Sequence, residues 1–241
     1  RGFLLSAVGL ALTMFGFASL GRHLVSTELA AGCLLAGIAG LALYVLHARR
    51  HPHPLIDLGL LQVPTFSVGV IGGSLFRIGV GATPFLLPLM LQPSSGLDPL
   101  QSGLITFASA AGAMFMKTLA ARIMRRFGFR PVLVANALAA SLLLCGFGLF
   151  RADTPYPLLI GVLLASGCFR SLQFTSLNAI TYADIEPERM GQASSLAGMA
   201  QQVALAIGVT IVGYALTVAS LASGLPMDAA INFTCAFLAV G

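Results

Sequence analysis

Charge is what this sequence has least of. Only 9% of its 241 residues are Asp, Glu, Lys or Arg, against 57% that are hydrophobic. That leaves too little polar surface to coat a water-soluble globule of this length. No carboxylate lies deep in a long apolar run: Glu28, Asp98, Asp153, Asp228, Asp184, Glu186 and Glu188 all belong to connections. A proton relay within a membrane normally needs an embedded acid or histidine, so none is expected here. The cysteines, Cys33, Cys145, Cys168 and Cys235, each stand alone in an apolar run, without metal or redox spacing, and read as packing residues. His47, His51 and His53 are near neighbours, but Pro52 and Pro54 break any shared helical face. No metal site is expected from them. The chain also has no His-Glu-x-x-His, no Gly-x-Ser-x-Gly and no nucleotide loop. It is therefore not expected to be an enzyme, and no cofactor is expected.

What the sequence does have is long apolar runs, at 3–20, 29–46, 66–91, 100–120, 132–150, 158–178 and 193–219, with the start of another at the C-terminal edge. Each is about 17–27 residues, enough for a helix to cross a hydrocarbon core of about 30 Å. Barrel strands would instead alternate over about ten residues. The expected fold class is all-α, with polytopic transmembrane helices: seven full spans plus a truncated eighth. The chain opens without Met, one residue before an apolar run, and stops inside another, so it reads as a piece of a larger protein.

The net charge of +5 would suggest nucleic acid in a soluble protein, but the basic residues alternate by connection. Arg49 and Arg50, then Arg122, Arg125, Arg126 and Arg130, then Arg189 fall on the side of Arg1; the opposite side has only Arg22 and Arg151. This asymmetry predicts that the Arg-rich side is cytoplasmic. No nucleic-acid partner is expected, because no basic patch is interleaved with exposed aromatics.

Three parts are expected: an inter-bundle transmembrane hairpin at 1–47, a cytoplasmic interfacial linker at 48–65, and a C-terminal transmembrane bundle at 66–241, truncated in its last helix. In the linker, Leu55, Ile56, Leu58, Leu60 and Leu61 form an apolar stretch too short to span, which suits a helix lying along the interface. Ser194 with Gly198, and Ala204 with Gly208, have the spacing that lets helix backbones approach closely. Pro84 and Pro88 predict a helix kink in the third span, which is tolerated where a helix lines protein or a water-filled cavity.

Three basic residues fall inside spans. Lys117 is about one turn from the end of its run and can snorkel to the headgroups. Arg77 is about eleven residues into its span, about 16 Å at the helical rise, and Arg170 is similarly central. A charge at that depth costs at least about 2.5–3.5 kcal/mol unless it meets water or a partner. Ser166, Arg170, Gln173 and Thr181 fall on one helical face with Asn178 at its flank, and the seventh span adds Gln201 and Gln202. The candidate substrate cavity is therefore lined by Arg77, Arg170, Gln173, Asn178, Gln201 and Gln202.

The segments Pro54-Leu-Ile-Asp-Leu58, Arg77-Ile-Gly-Val-Gly-Ala-Thr-Pro-Phe-Leu-Leu-Pro-Leu-Met-Leu-Gln92, Met116-Lys through Arg126-Phe-Gly-Phe-Arg-Pro-Val132, and Phe174-Thr-Ser-Leu-Asn178 come in a specific order. Through them the chain resembles the C-terminal part of a fourteen-helix drug:proton antiporter of the major facilitator superfamily, in the DHA2 group. The resemblance covers essentially the whole chain. It implies that the first two spans are helices seven and eight, lying between two six-helix bundles. Arg126-x-Gly128-x-Arg130 is similar to the second copy of the superfamily's cytoplasmic signature loop. The fuller form has an acid before its first basic residue, where this chain has Arg125, so the loop keeps a role in topology and lipid contact.

The function implied is proton-coupled efflux of small, often amphipathic compounds from a bacterial cytoplasmic (inner) membrane. The partners implied are a small-molecule substrate, the lipid bilayer and protons, whose coupling site is expected in an N-terminal half. A non-transporting membrane sensor or a degenerate transporter fragment is the alternative reading.

Overall fold

The computed structural model describes residues 2–22, 25–48, 57–81, 83, 84, 86, 87, 90, 99–150, 154–226 and 229–241. His51, His53, Pro88, Arg49, Arg50 and Arg151 lie outside the described residues. The α-helices are α1 (Gly2–Arg22), α2 (Thr27–Ala48), α3 (Pro64–Gly81), α4 (Pro99–Phe127), α5 (Phe129–Phe147), α6 (Tyr156–Thr181), α7 (Met190–Ser223) and α8 (Ala230–Val240). Residues 83, 84, 86, 87 and 90 are also in helical backbone, and no strand occurs among the described residues. Among the described residues, helix thus occurs in every expected span, and the all-α class holds.

Among the described residues, four stretches are long and apolar enough by themselves to cross a membrane: Thr27–His47, Phe129–Phe147, Tyr156–Thr181 and Pro187–Ser223. Large apolar side chains face outward along them, with Leu142 73% and Leu221 79% exposed. Such faces suit hydrocarbon and not water.

The helices outrun the apolar runs. Residues 122–126, placed in a connection by hydropathy, are helical to Phe127. Ala-Ala-Arg-Ile-Met-Arg-Arg are strong helix formers, so the helix continues past the apolar boundary until glycine stops it. That glycine, Gly128, has φ +80° and is the single residue between α4 and α5. An L side chain is strained in that backbone region. Gly128→Ala is expected to cost about 1–3 kcal/mol, the range for a non-glycine residue held in such a conformation. A lowered thermal midpoint in detergent would report it, and an unchanged midpoint would contradict it.

The chain forms two compact units, residues 1–78 with 180–213, and residues 79–179 with 214–241. In the first, α1 and α2 pack as a close antiparallel hairpin. A Cβ on Gly16 would meet the Leu34 backbone at 2.8 Å, and Thr13 donates to the Gly9 carbonyl at 2.7 Å. Thr210 of α7 donates to the Phe17 carbonyl at 2.7 Å. Gly208 lies against the carbonyl of Ile78, whereas Gly198 faces open space and Ser194 is exposed. Of the two small-residue pairs, only Ala204–Gly208 meets another helix among the described residues.

The apolar part of the linker forms one 3₁₀ turn, Leu58–Gln62. Leu60 is fully buried beside Phe66, Ile185, Ala193 and Ala197, while Leu61 is exposed. Asp57 caps the turn by accepting from the Gly59 N–H at 2.8 Å. Its other oxygen accepts from Arg189 at 2.5 Å, and Thr65 donates to Asp184 at 2.9 Å. A stretch too short to nucleate an α-helix in water is held here by capping and by burial of one leucine.

In the second unit α4 crosses α6 on glycine. A Cβ on Gly112 would collide with the Leu164 carbonyl, and one on Gly167 with the Ser109 carbonyl. Cys168 donates to the Gly112 carbonyl at 3.2 Å and Ser171 to that of Ala113 at 2.8 Å. Helix α5 packs on α8 through an edge-on contact of Phe147 with Phe237, 5.7 Å between ring centroids.

Candidate functional site

Arg170 projects from the middle of α6 into the second unit, and the α4–α6 crossing decides what it meets. Because Gly112 and Gly167 bring the two backbones together, the Arg170 guanidinium reaches Ser109 of α4, donating to its hydroxyl at 3.2 Å. Both side chains line a cavity of about 250 Å³. Ser166, Thr83 and Pro84 line it too, and Phe147 and Leu163 supply apolar wall. Among the described residues no carboxylate pairs with Arg170; the ion pair found there is Arg189–Asp57. A guanidinium cannot shed its charge near neutral pH. The cavity therefore presents a fixed positive charge, hydroxyls and an apolar wall to whatever enters it.

The other polar residues expected to line a cavity are distributed differently. Gln173, one turn along α6 from Arg170, is buried and accepts from Asn136 of α5 at 2.8 Å. It is absent from the wall of the Arg170 cavity. Asn178 is exposed. Arg77 is only 5% exposed and belongs to the first unit, where Tyr182 is its electrostatic neighbour. Gln201, half-buried, and Gln202, exposed, are in that unit as well. Arg77 with the two glutamines, and Arg170 with Gln173 and Asn178, thus fall into separately described units. Pro84 borders the Arg170 cavity.

In the signature loop, Arg126 lies in the last turn of α4 with its guanidinium 5.6 Å over the Phe127 ring. Arg130 is in the first turn of α5, and both arginines are exposed. Cys33, Cys145, Cys168 and Cys235 are all free thiols.

Two residues that matter here were not singled out in the sequence. Ser109 is an ordinary small residue in an Ala-rich helix, and only its 61-residue reach to Arg170 distinguishes it. Asn136 carried a readable signal as the lone amide inside the apolar run at 132–150. A side chain of that kind needs a partner in a membrane.

Residues 69–241 match the family model described as Major Facilitator Superfamily. A protein of Salmonella heidelberg named "Putative multidrug resistance protein MdtD" is 38% identical over 218 residues, covering 89% of this chain and 46% of the relative. One of the same name from Citrobacter koseri is 39% identical over 216 residues, with 89% and 46% covered. The chain thus spans about half the length of the curated relatives it matches. Apolar helices of membrane-crossing length, a glycine-packed bundle and a family match over most of the sequence converge: this integral membrane protein belongs to the Major Facilitator Superfamily, a family of transporters and not of enzymes.

Proposed function

We propose that the chain is the C-terminal part of a secondary active efflux transporter that exports small, often amphipathic compounds in exchange for protons across a bacterial inner membrane. One observation carries this reading: Arg170 faces a cavity of about 250 Å³ without a carboxylate partner among the described residues. A charge kept in a membrane bundle at a cost of at least about 2.5–3.5 kcal/mol is best explained by a water-accessible solute path. The mixed wall of cation, hydroxyl and aromatic suits an amphipathic solute with an acceptor group. The multidrug-resistance name of the relatives agrees with it.

In this reading residues 1–47 are an inter-bundle hairpin, 48–65 a cytoplasmic linker and 66–241 one bundle, which rocks against a second around a midplane cavity. Arg77, Gln201 and Gln202 contribute to the same solute path, and the Arg126–Arg130 loop faces the cytoplasm. Proton coupling resides outside residues 1–241, where the spans hold no embedded acid.

The test uses inverted vesicles with an imposed proton gradient. The complete reading frame should move an amphipathic dye in an uncoupler-sensitive way, and residues 1–241 alone should not. Uncoupler-sensitive transport by residues 1–241 alone would sink the assignment of coupling elsewhere. Absence of transport by the well-folded complete protein, across chemically varied dyes, would sink the efflux reading.

A further inference from the structure

The Arg170 cavity also selects the charge of what enters it. A guanidinium is a planar fork of N–H donors, and among the described residues a single hydrogen bond uses them, to the Ser109 hydroxyl at 3.2 Å. That hydroxyl accepts from the guanidinium, so its own proton remains to be donated, and it has no acceptor among the described residues. Arg170 and Ser109 both line the cavity, so guanidinium and hydroxyl converge there as neighbouring donors. Ser166 and Thr83 add hydroxyls to the same wall, and among the described residues no carboxylate lines it.

A cation entering here meets a full positive charge and no described negative one. The Phe147 ring is the part of the wall that attracts a cation, through its quadrupole, and that attraction does not offset a guanidinium in the same cavity. Low-dielectric surroundings strengthen both the repulsion of a cation and the attraction of an anion several-fold over water. An oxyanion completes the site: its oxygens accept from the free N–H groups of Arg170 and from the Ser109 hydroxyl, as charge-assisted bonds. A neutral acceptor gains the bonds without the charge.

The remaining wall is Pro84, Leu87, Ala110, Phe147 and Leu163, which suits an apolar body. Phe147 is held by Phe150 and Phe237, each 5.7 Å away between ring centroids, so that side is fixed. The volume of about 250 Å³ falls just below the ~300–1,000 Å³ of drug-sized sites. A body of one or two rings fits it.

We propose that the Arg170 cavity selects amphipathic monoanions: a carboxylate or sulfonate carried on a one- or two-ring apolar body. The oxyanion sits on Arg170 and Ser109, and the rings lie against Phe147 and Leu163. As a statement about exported substrates the inference rests on the efflux reading above; as a statement about what binds it rests on the cavity.

The experiment uses three probes that share a naphthalene body and differ in charge: naphthalene-1-sulfonate, 1-naphthyltrimethylammonium and the neutral naphthalene-1-sulfonamide. Equilibrium dialysis against the purified complete protein in uncharged detergent reads binding, and accumulation in inverted vesicles reads transport. Sulfonate should bind over each of the others by about tenfold, a difference of ~1.4 kcal/mol. Arg170→Gln should erase the preference, Arg170→Lys should keep its sign, and Ser109→Ala should narrow it. Each ratio is taken on protein that elutes as a monodisperse peak, so lost stability does not mimic lost selectivity, and the ratio on the parent protein needs no variant. Equal binding of the three probes overturns the proposal, as it would if a carboxylate from outside residues 1–241 neutralised Arg170. A preference that survives Arg170→Gln also overturns it, by placing the attraction on the exposed arginines of the α4–α5 loop. Transport of the ammonium probe over the sulfonate sinks the anion site and leaves the efflux reading standing. Selective binding of sulfonate with no probe transported upholds the anion site and sinks the efflux reading.

Discussion

Gly167→Leu is expected to eliminate folded protein, while Gly161→Leu, two turns away on the same helix, leaves it intact. A Cβ at Gly167 collides with the Ser109 carbonyl, and main chain cannot swing aside as a flexible side chain can. Even Gly167→Ala should cost about 1–3 kcal/mol, as overpacking of a close contact does. Leucine adds a branched side chain at the point where the two helices touch, and forces them apart. The loss would extend beyond one contact. The bonds from Cys168 to Gly112 and from Ser171 to Ala113 are made across the same crossing. At Gly161 an added Cβ meets nothing within 4 Å, and leucine there gains up to about 1 kcal/mol of helix propensity. Fluorescence-detected size exclusion of tagged membranes reads both outcomes together. A monodisperse peak for Gly167→Leu equal to that of the parent would remove the crossing from its central place in the packing.

Arg170→Ala should reduce efflux by the complete protein by about tenfold or more, the loss of an interaction worth ~1.4 kcal/mol or above, with little change in the amount of folded protein. The arginine has a single described hydrogen bond, to Ser109, so its removal leaves one exchangeable hydroxyl behind and no stranded carboxylate among the described residues. Arg170→Lys keeps the charge but not the planar donor fork, and should fall between the parent and alanine. Ser109→Ala should have a smaller effect, since it releases the guanidinium without removing it. Dye efflux normalised to membrane-inserted protein checks the series. If transport falls only in step with protein abundance, Arg170 is holding the bundle together and not meeting a solute.

The helices and the two midspan arginines were legible because each is a local property. An apolar run of membrane length has few alternatives, and a charge within it stands out against its neighbours. Partners were not legible. Gln173 shares a periodic face with Arg170, yet it bonds Asn136 on another helix, 37 residues away. Periodicity says which residues share a face but not which helix that face meets. In the basic segment 122–126 the edge of the hydrocarbon and the end of the helix part company. Hydropathy finds where hydrocarbon ends, whereas the helix ends where Gly128 ends it, at Phe127. The linker reversed the environment expected for Leu60: an apolar stretch that suits the bilayer interface packs against Phe66 and Ala193, because contacts from 120 and more residues downstream cannot be anticipated from its own composition.

The bond between Asp57 and Arg189 spans 132 positions, and the one between Thr210 and Phe17 spans 193. At a synthesis rate of about 5–20 residues per second, the linker turn waits about 7–26 s for its arginine, and the hairpin about 10–39 s for its threonine. Helices α1 and α2 can pair with each other as soon as both have left the ribosome. Their seat on α7 exists only once Thr210 has been made. A nascent chain thus carries the hairpin through the synthesis of the residues between Phe17 and Thr210 before this bond can form, so a stall within that stretch leaves the hairpin inserted but without its seat on α7.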